Sequence, residues 1–163
     1  EVQEYGSVLF PDFERGFAGQ NPRYYQRGLA DCARLLSQVE DLGFDFCAFS
    51  EHHFHVEGLE LSNNPVMLGL WAAMQTRRIR IGQMGNVLPA RNPLLLAEDL
   101  AMLDQMSEGR MCAGFARGYQ ARHVMTVGQK MNAVWTAAND PDFALHDRIN
   151  RELFTEHYDI IRK

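Results

Sequence analysis

Six consecutive residues, Ser50-Glu51-His52-His53-Phe54-His55, set one carboxylate and three imidazoles side by side. Such a group can take a proton as a general base, donate a hydrogen bond to a developing anion, or ligate a metal. On an extended segment His53 and His55 share one face, which is acceptable metal geometry. The pattern is not H-E-x-x-H on a helix, however, and no carboxylate or cysteine motif accompanies it. Work in a ligand pocket is therefore favoured over a structural loop, and no metal is assigned. A second candidate is Arg117, between Gly114 and Gly118. Glycines let backbone approach a ligand closely, and a guanidinium can grip a phosphate with its planar fork. The same arginine could equally pair with a carboxylate. Asn86 could hydrogen-bond a flat ring system through its amide, or simply cap a loop.

These residues need a frame, and the apolar pattern supplies one. Tyr5 to Phe10 reads as a short strand ended by Pro11. Tyr25, Leu29, Cys32, Leu36 and Val39 recur at helical spacing, with Gly43 placed to stop that helix. Phe44 to Ser50 predicts a strand buried on both faces of a parallel sheet. Asn64-Pro65 and Asn92-Pro93 each give an N-cap followed by a first-turn proline. Met67, Leu68, Trp71 and Met74 predict the apolar stripe of one helix, and Leu96, Leu100 and Leu103 that of the next, which Gly109 closes. Ile79 to Leu88 and Met111 to Phe115 read as two further strands. After Tyr119 the pattern dissolves until Ile149, Leu153, Tyr158 and Ile161 suggest a last helix. Strand-helix alternation of this kind requires parallel strands joined by right-handed crossovers.

The first connection lacks the G-x-G-x-x-G turn of a dinucleotide-binding sheet, so a closed (β/α)8 barrel is expected over an open one. About four strand-helix units amount to half a barrel, predicting a single domain over residues 1–163 that is the N-terminal, truncated half. In a barrel the chemistry collects at the C-terminal ends of strands. The three candidate groups fall at three such ends.

The chain has 163 residues, 46% apolar, with a formal charge of -5. That balance argues against a nucleic-acid partner, which would need a basic surface. No run is long enough to span a membrane and no signal layout opens the chain. Cys32, Cys47 and Cys112 are odd in number and widely spaced, so small buried hydrophobes are expected rather than disulfides. A reduced, cytoplasmic setting follows as an expectation.

Taken together, Leu42-Gly43-Phe44-Asp45, Ser50-Glu51-His52-His53-Phe54, Asn92-Pro93-Leu94, Ala97-Glu98-Asp99-Leu100, the run Leu103-Asp104-Gln105-Met106-Ser107-Glu108-Gly109-Arg110 and Gly114 to Tyr119 resemble the bacterial-luciferase-like flavin monooxygenases. The similarity runs from about Tyr5 to Gly128, with the motifs in the same order and spacing. It implies a TIM barrel binding reduced FMN, usually delivered by a separate flavin reductase. It also implies that O2 adds to the flavin to give a C4a-peroxide, which oxygenates a small organic substrate, and that the protein is a homo-oligomer, commonly a dimer. His52 matches the catalytic histidine and Arg117 the arginine that holds the flavin phosphate. Glu51, His53, Asn86, Leu88, Ala116, Gly118 and Tyr119 fall at the flavin-binding positions. Ala116 stands where luciferase has a reactive cysteine, which implies a non-luminescent relative. Two rival expectations remain: a non-catalytic flavin-binding or self-assembling half-barrel, and a deazaflavin-dependent oxidoreductase on the same fold.

Overall fold

The computed structural model describes residues 18–54, 60–118, 123, 126–128 and 141–163. The strand expected at Tyr5 to Phe10 lies outside them, as do His55 and Tyr119. Among the described residues a short 3-10 turn, Ala18–Gln20, leads into α1 (Pro22–Asp41), β1 (Phe46–Phe49), α2 (Pro65–Gln75) and β2 (Arg80–Val87). A second 3-10 turn (Leu88–Ala90), α3 (Pro93–Met106), β3 (Met111–Ala116) and α4 (Phe143–Ile161) follow. The three strands form one parallel sheet in the order β1-β2-β3, as the alternation predicts.

The helix boundaries follow their capping chemistry. The side chains of Asn21, Asn64 and Asn92 each accept a backbone N–H of the first turn, and a proline follows each of them. Proline costs nothing there, because its missing N–H would have no helical partner. Gly43 and Gly109 end α1 and α3 at φ 83° and 76°, a backbone region that glycine enters without steric cost.

Two apolar assignments are corrected. Met67 and Met74 on α2 are exposed, at 68% and 74%, while Val66, Leu68, Gly69, Ala72 and Ala73 are buried. Spacing finds a face but not which face packs inward. Here the small residues face the sheet because α2 sits so close that a Cβ on Gly69 would lie 2.9 Å from Gln83 Nε2. The strand predicted at Phe44 to Ser50 is shorter, and it is not covered on both faces: Phe46 and Ala48 are exposed. Cys47 and Phe49 pack under the helices with Leu36, Ala72, Ala73, Ile79 and Ile81. The Phe46 ring lies over Gly82 on the opposite face, where no described element covers it.

A second core joins Val66, Leu88, Leu96, Leu100 and Leu103 to Phe154, Tyr158 and Ile161 of α4. Burying each leucine contributes about 2 kcal/mol. His157 fastens α4 further: its Nδ1 lies 2.8 Å from the Leu88 carbonyl, which can only accept, so Nδ1 carries the hydrogen. The register of β2 on β3 slips between Gln83 and Asn86. An apolar cleft of about 170 Å³ between α2 and α3 is lined by Val66, Met67, Leu70, Met102, Leu103 and Met106.

At the N-terminal end of the strands, Glu40 receives the backbone N–H groups of Arg77, Arg78 and Ile79 at 2.6 to 3.0 Å. Burial would raise its carboxyl, but those bonds and the Arg78 charge outweigh it and hold the pKa below the usual value. Arg77, Arg78 and Arg80 are exposed, and Arg78 Nη2 donates to the Glu40 carbonyl at 3.3 Å. The three cysteines are free and half-buried. Burial pushes the Cys32 and Cys47 thiols up, which suits packing rather than reactivity.

Arg110 is the keystone between α2, α3 and β3. Its guanidinium donates to the carbonyls of Ala73, Ile79 and Ser107 and to the Thr76 hydroxyl, at 2.8 to 3.2 Å. The Ser107-Glu108-Gly109-Arg110 run is thus a helix stop followed by a clamp. It holds the strand start, at the end of the sheet opposite the candidate residues.

Candidate functional site

Glu51 lies two residues past the end of β1, and its side chain is completely buried. A buried carboxylate needs partners, and four groups from three segments converge on it. The Val87 amide, ending β2, donates to one oxygen at 2.7 Å. The other oxygen accepts Arg91 Nε at 3.1 Å and Arg91 Nη2 at 3.0 Å, and lies 2.9 Å from His53 Nε2. Burial pushes the Glu51 carboxyl up, yet the His53 and Val87 bonds and the Arg91 charge prevail and hold it below the usual carboxylate value. Glu51 is therefore ionised and can only accept, so His53 Nε2 carries the hydrogen.

His123 completes the group. Its ring centroid is 3.9 Å from that of His53, its Nε2 is 3.8 Å from Glu51, and its side chain is 4% exposed. Burial lowers its pKa to about 4, helped by the neighbouring positive groups and partly offset by Glu51. The imidazole is neutral near pH 7. Glu51, His53 and His123 present ligand atoms within 4.8 Å of one another, a spacing that could hold a cation. The Arg91 guanidinium already supplies the positive charge there, and a metal on the same oxygen would have to displace it.

His52 is half-buried, and its backbone N–H donates to the Ser62 carbonyl at 3.2 Å. Phe54 has φ 62°, a region bulky side chains rarely adopt, so the chain turns immediately after His53. Asn86 is fully buried: its amide nitrogen donates to the Gly114 carbonyl at 3.2 Å, and its Oδ1 has no partner among the described residues. Leu88 is completely buried in the core with its carbonyl on His157. Ala116, Arg117 and Gly118 are half-buried at the end of β3.

Arg117 makes the second grouping. Its Nη1 lies 2.6 Å from one oxygen of Asp147 on α4, whose other oxygen lies 2.6 Å from Arg151 Nε. The bonds from Arg151 and Arg117 hold the Asp147 carboxyl below its usual range. Pairing with a carboxylate, one of the two roles open to Arg117 from sequence, is the one it takes here.

The strand ends thus bring Glu51 and His53 together and set Arg117 in a separate ionic group. Sequence reading missed Arg91, His123 and Asp147. Arg91 carried a signal, being a charged residue between the buried Leu88–Ala90 turn and the cap Asn92. His123 and Asp147 carried none.

The luciferase-like monooxygenase family model matches residues 11–163. The alpha chain of alkanal monooxygenase from Photorhabdus laumondii is 36% identical over 114 residues, 69% of this chain and 31% of that protein. A crystallised monooxygenase of Streptomyces bottropensis superposes with a TM-score of 0.66 at 26% identity, covering 89% of this chain and 38% of that one. The oxygenating constituent of 3,6-diketocamphane monooxygenase from Pseudomonas putida, a type II Baeyer-Villiger enzyme solved with FMN, superposes with a TM-score of 0.65 at 24% identity, covering 86% of this chain and 33% of that one. The chain spans about a third of the length of these relatives. Its parallel strands and alternating helices are strand-helix units of their barrel, and by fold and by sequence the chain belongs to the luciferase-like monooxygenases.

Proposed function

We propose that the chain supplies part of the flavin site of a two-component monooxygenase, which uses reduced FMN and O2 to oxygenate a small, largely apolar organic substrate. The observation that carries this reading is the collection of polar groups at the C-terminal ends of all three described strands: Glu51 to His53, Asn86, and Arg117 between Ala116 and Gly118. Barrel enzymes place their reacting groups there.

The residues present fit such a cofactor. Asn86 keeps an unpartnered buried oxygen. On the sheet face opposite the helices Met84, in the C-terminal half of β2, is 55% exposed and offers an apolar contact for a flat ring. Arg117, with its side chain 40% exposed, can turn its fork to a phosphate if Asp147 yields. The flavin, when bound, would supply the activation of dioxygen. In this reading Arg117 and Gly118 hold the phosphate, and Glu51, His53 and Asn86 shape the ring pocket, with Leu88 supporting it from the core and Tyr119 lying outside the described residues. His52 acts on the reacting groups. Ala116 offers a methyl group where a thiol would react, which favours oxygenation without light. The alkanal and diketocamphane named for the relatives make an aldehyde or cyclic ketone the substrate class to try first. A flavin reductase and a second copy of the chain are the partners this reading carries.

Titration of FMN against riboflavin tests it. Arg117→Ala should weaken FMN at least tenfold and leave riboflavin unchanged, because riboflavin has no phosphate. Equal losses would remove the phosphate role, and no saturable binding of either flavin would remove the reading.

A further inference from the structure

Along α4, Asp147, Arg151, Phe154, Tyr158 and Ile161 follow one another at spacings of four, three, four and three, so they share one face of the helix. The apolar half of that face is fixed. Phe154, Tyr158 and Ile161 pack into the second core, and the Tyr158 ring meets Phe115 of β3 edge-on, with 5.7 Å between centroids. The polar half is thereby carried to the end of the same strand, where Asp147 reaches Arg117, the first residue past β3. A core contact sets the position of an ionic one.

Arg117 Nη1 and Arg151 Nε donate to different oxygens of Asp147, both at 2.6 Å. Two cations on one carboxylate keep it ionised and bring its charge onto the guanidinium that would grip a phosphate. Arg148, the other cation of this stretch, pairs with Glu152 at 3.8 Å. We propose that Asp147 is the built-in competitor of this anion site, a tethered carboxylate that occupies Arg117 and that the phosphate of an incoming flavin must displace. A tethered group acts at high effective concentration, so a free carboxylate of equal chemistry does not dislodge it. A phosphate monoester brings about two negative charges and three acceptor oxygens, and it does. On its arrival Asp147 gives up Arg117 and keeps Arg151, which lies one turn along the same helix and holds the other oxygen. The exchange leaves neither Arg117 nor Asp147 without a partner of opposite charge.

The sign of one effect separates this role from a structural one. A carboxylate that merely steadied Arg117 for the phosphate would weaken FMN binding when neutralised. A competitor would strengthen it.

The inference rests on the flavin reading for the identity of the ligand, and on the ion pair alone for the competition. Fluorescence titrations of FMN and riboflavin, with phosphorus-31 titrations of inorganic phosphate, compare the full chain with Asp147→Asn and Asp147→Glu. Asn keeps the shape and one hydrogen-bonding oxygen, and Glu keeps the charge. Expected is FMN and inorganic phosphate bound about fivefold more tightly by Asp147→Asn, the order of one exposed ion pair given up. Riboflavin should bind all three proteins alike, and Asp147→Glu should bind FMN as the unaltered protein does. In the unaltered protein the carbon-13 carboxyl signal of Asp147 should move as inorganic phosphate saturates the site, a readout that needs no variant to fold. Unchanged or weaker FMN binding in Asp147→Asn would overturn the proposal and leave Asp147 a strut for Arg117. An equal gain for riboflavin, Asp147→Glu binding as tightly as Asp147→Asn, or a carboxyl signal that stays put at saturation would each overturn it as well. Tighter inorganic phosphate in Asp147→Asn with no flavin bound by any of the three proteins would instead sink the flavin reading and leave the competitor standing. Absence of both phosphate and flavin binding throughout would end both.

Discussion

Arg91 and Glu51, forty positions apart, meet through two hydrogen bonds at 3.0 and 3.1 Å onto a single carboxylate oxygen. The contact ties the turn after β2 to the end of β1 at the point where chemistry is expected. It also leaves Glu51 ionised in the interior, with consequences for stability that solution measurements can read.

Removing Arg91 should destabilise the fold strongly. A buried carboxylate robbed of its charge partner typically costs about 3 kcal/mol or more, so Arg91→Met should lower Tm by roughly 6–12 °C. Calorimetry at pH 7 checks this, and a fall under about 2 °C would mean that His53 and Val87 suffice for Glu51.

Acid should erode the stability of the fold over two distinguishable pH ranges. His123 titrates at about 4 when folded against an ordinary 6.5, so the unfolded chain takes up its proton first. Stability present above pH 6.5 is therefore lost as pH falls towards 4, by about 3 kcal/mol in all. His123→Asn should flatten that slope in urea titrations run between pH 7 and 4.

Glu51 acts lower. Its folded pKa lies below the ordinary 4.5, so its contribution is present above pH 4.5 and is lost as pH falls through the folded value. Glu51→Gln should be less stable at neutral pH and lose less on further acidification. Parallel acid-unfolding curves for the two proteins would contradict this.

Gln83 offers the opposite sign. It is fully buried under α2, and neither amide atom has a partner among the described residues. An unsatisfied buried amide costs about 1–3 kcal/mol, so Gln83→Met, similar in length, should leave Tm unchanged or raise it. A clear loss would reveal a hydrogen bond that these residues do not account for.

Much of the frame was legible in the sequence because its signals are local. An asparagine before a proline starts a helix wherever it stands, and a glycine at positive φ stops one. What failed needed tertiary knowledge. Met67 and Met74 are apolar and correctly spaced, but the closeness of α2 to the sheet rewards Gly69, Ala72 and Ala73 instead. Phe46 and Ala48 look like interior residues and are open, because no described strand or helix covers that face of β1. At the site, Glu51 to His53 stood out as a cluster. The partners that give them their protonation states did not, because His123 and Arg91 join them only in three dimensions.

The clamp built by Arg110 bears on what likeness itself can report. Ser107 to Arg110 belongs to one of the signatures by which this chain is placed among its relatives, yet every bond described for it secures a helix end to the foot of a strand, away from the reacting groups. A descendant stripped of Glu51, His52 and His53 would still carry that joint and still be recognised as kin. Membership here certifies the joinery of a barrel, and whether the barrel still works must be asked of the other end.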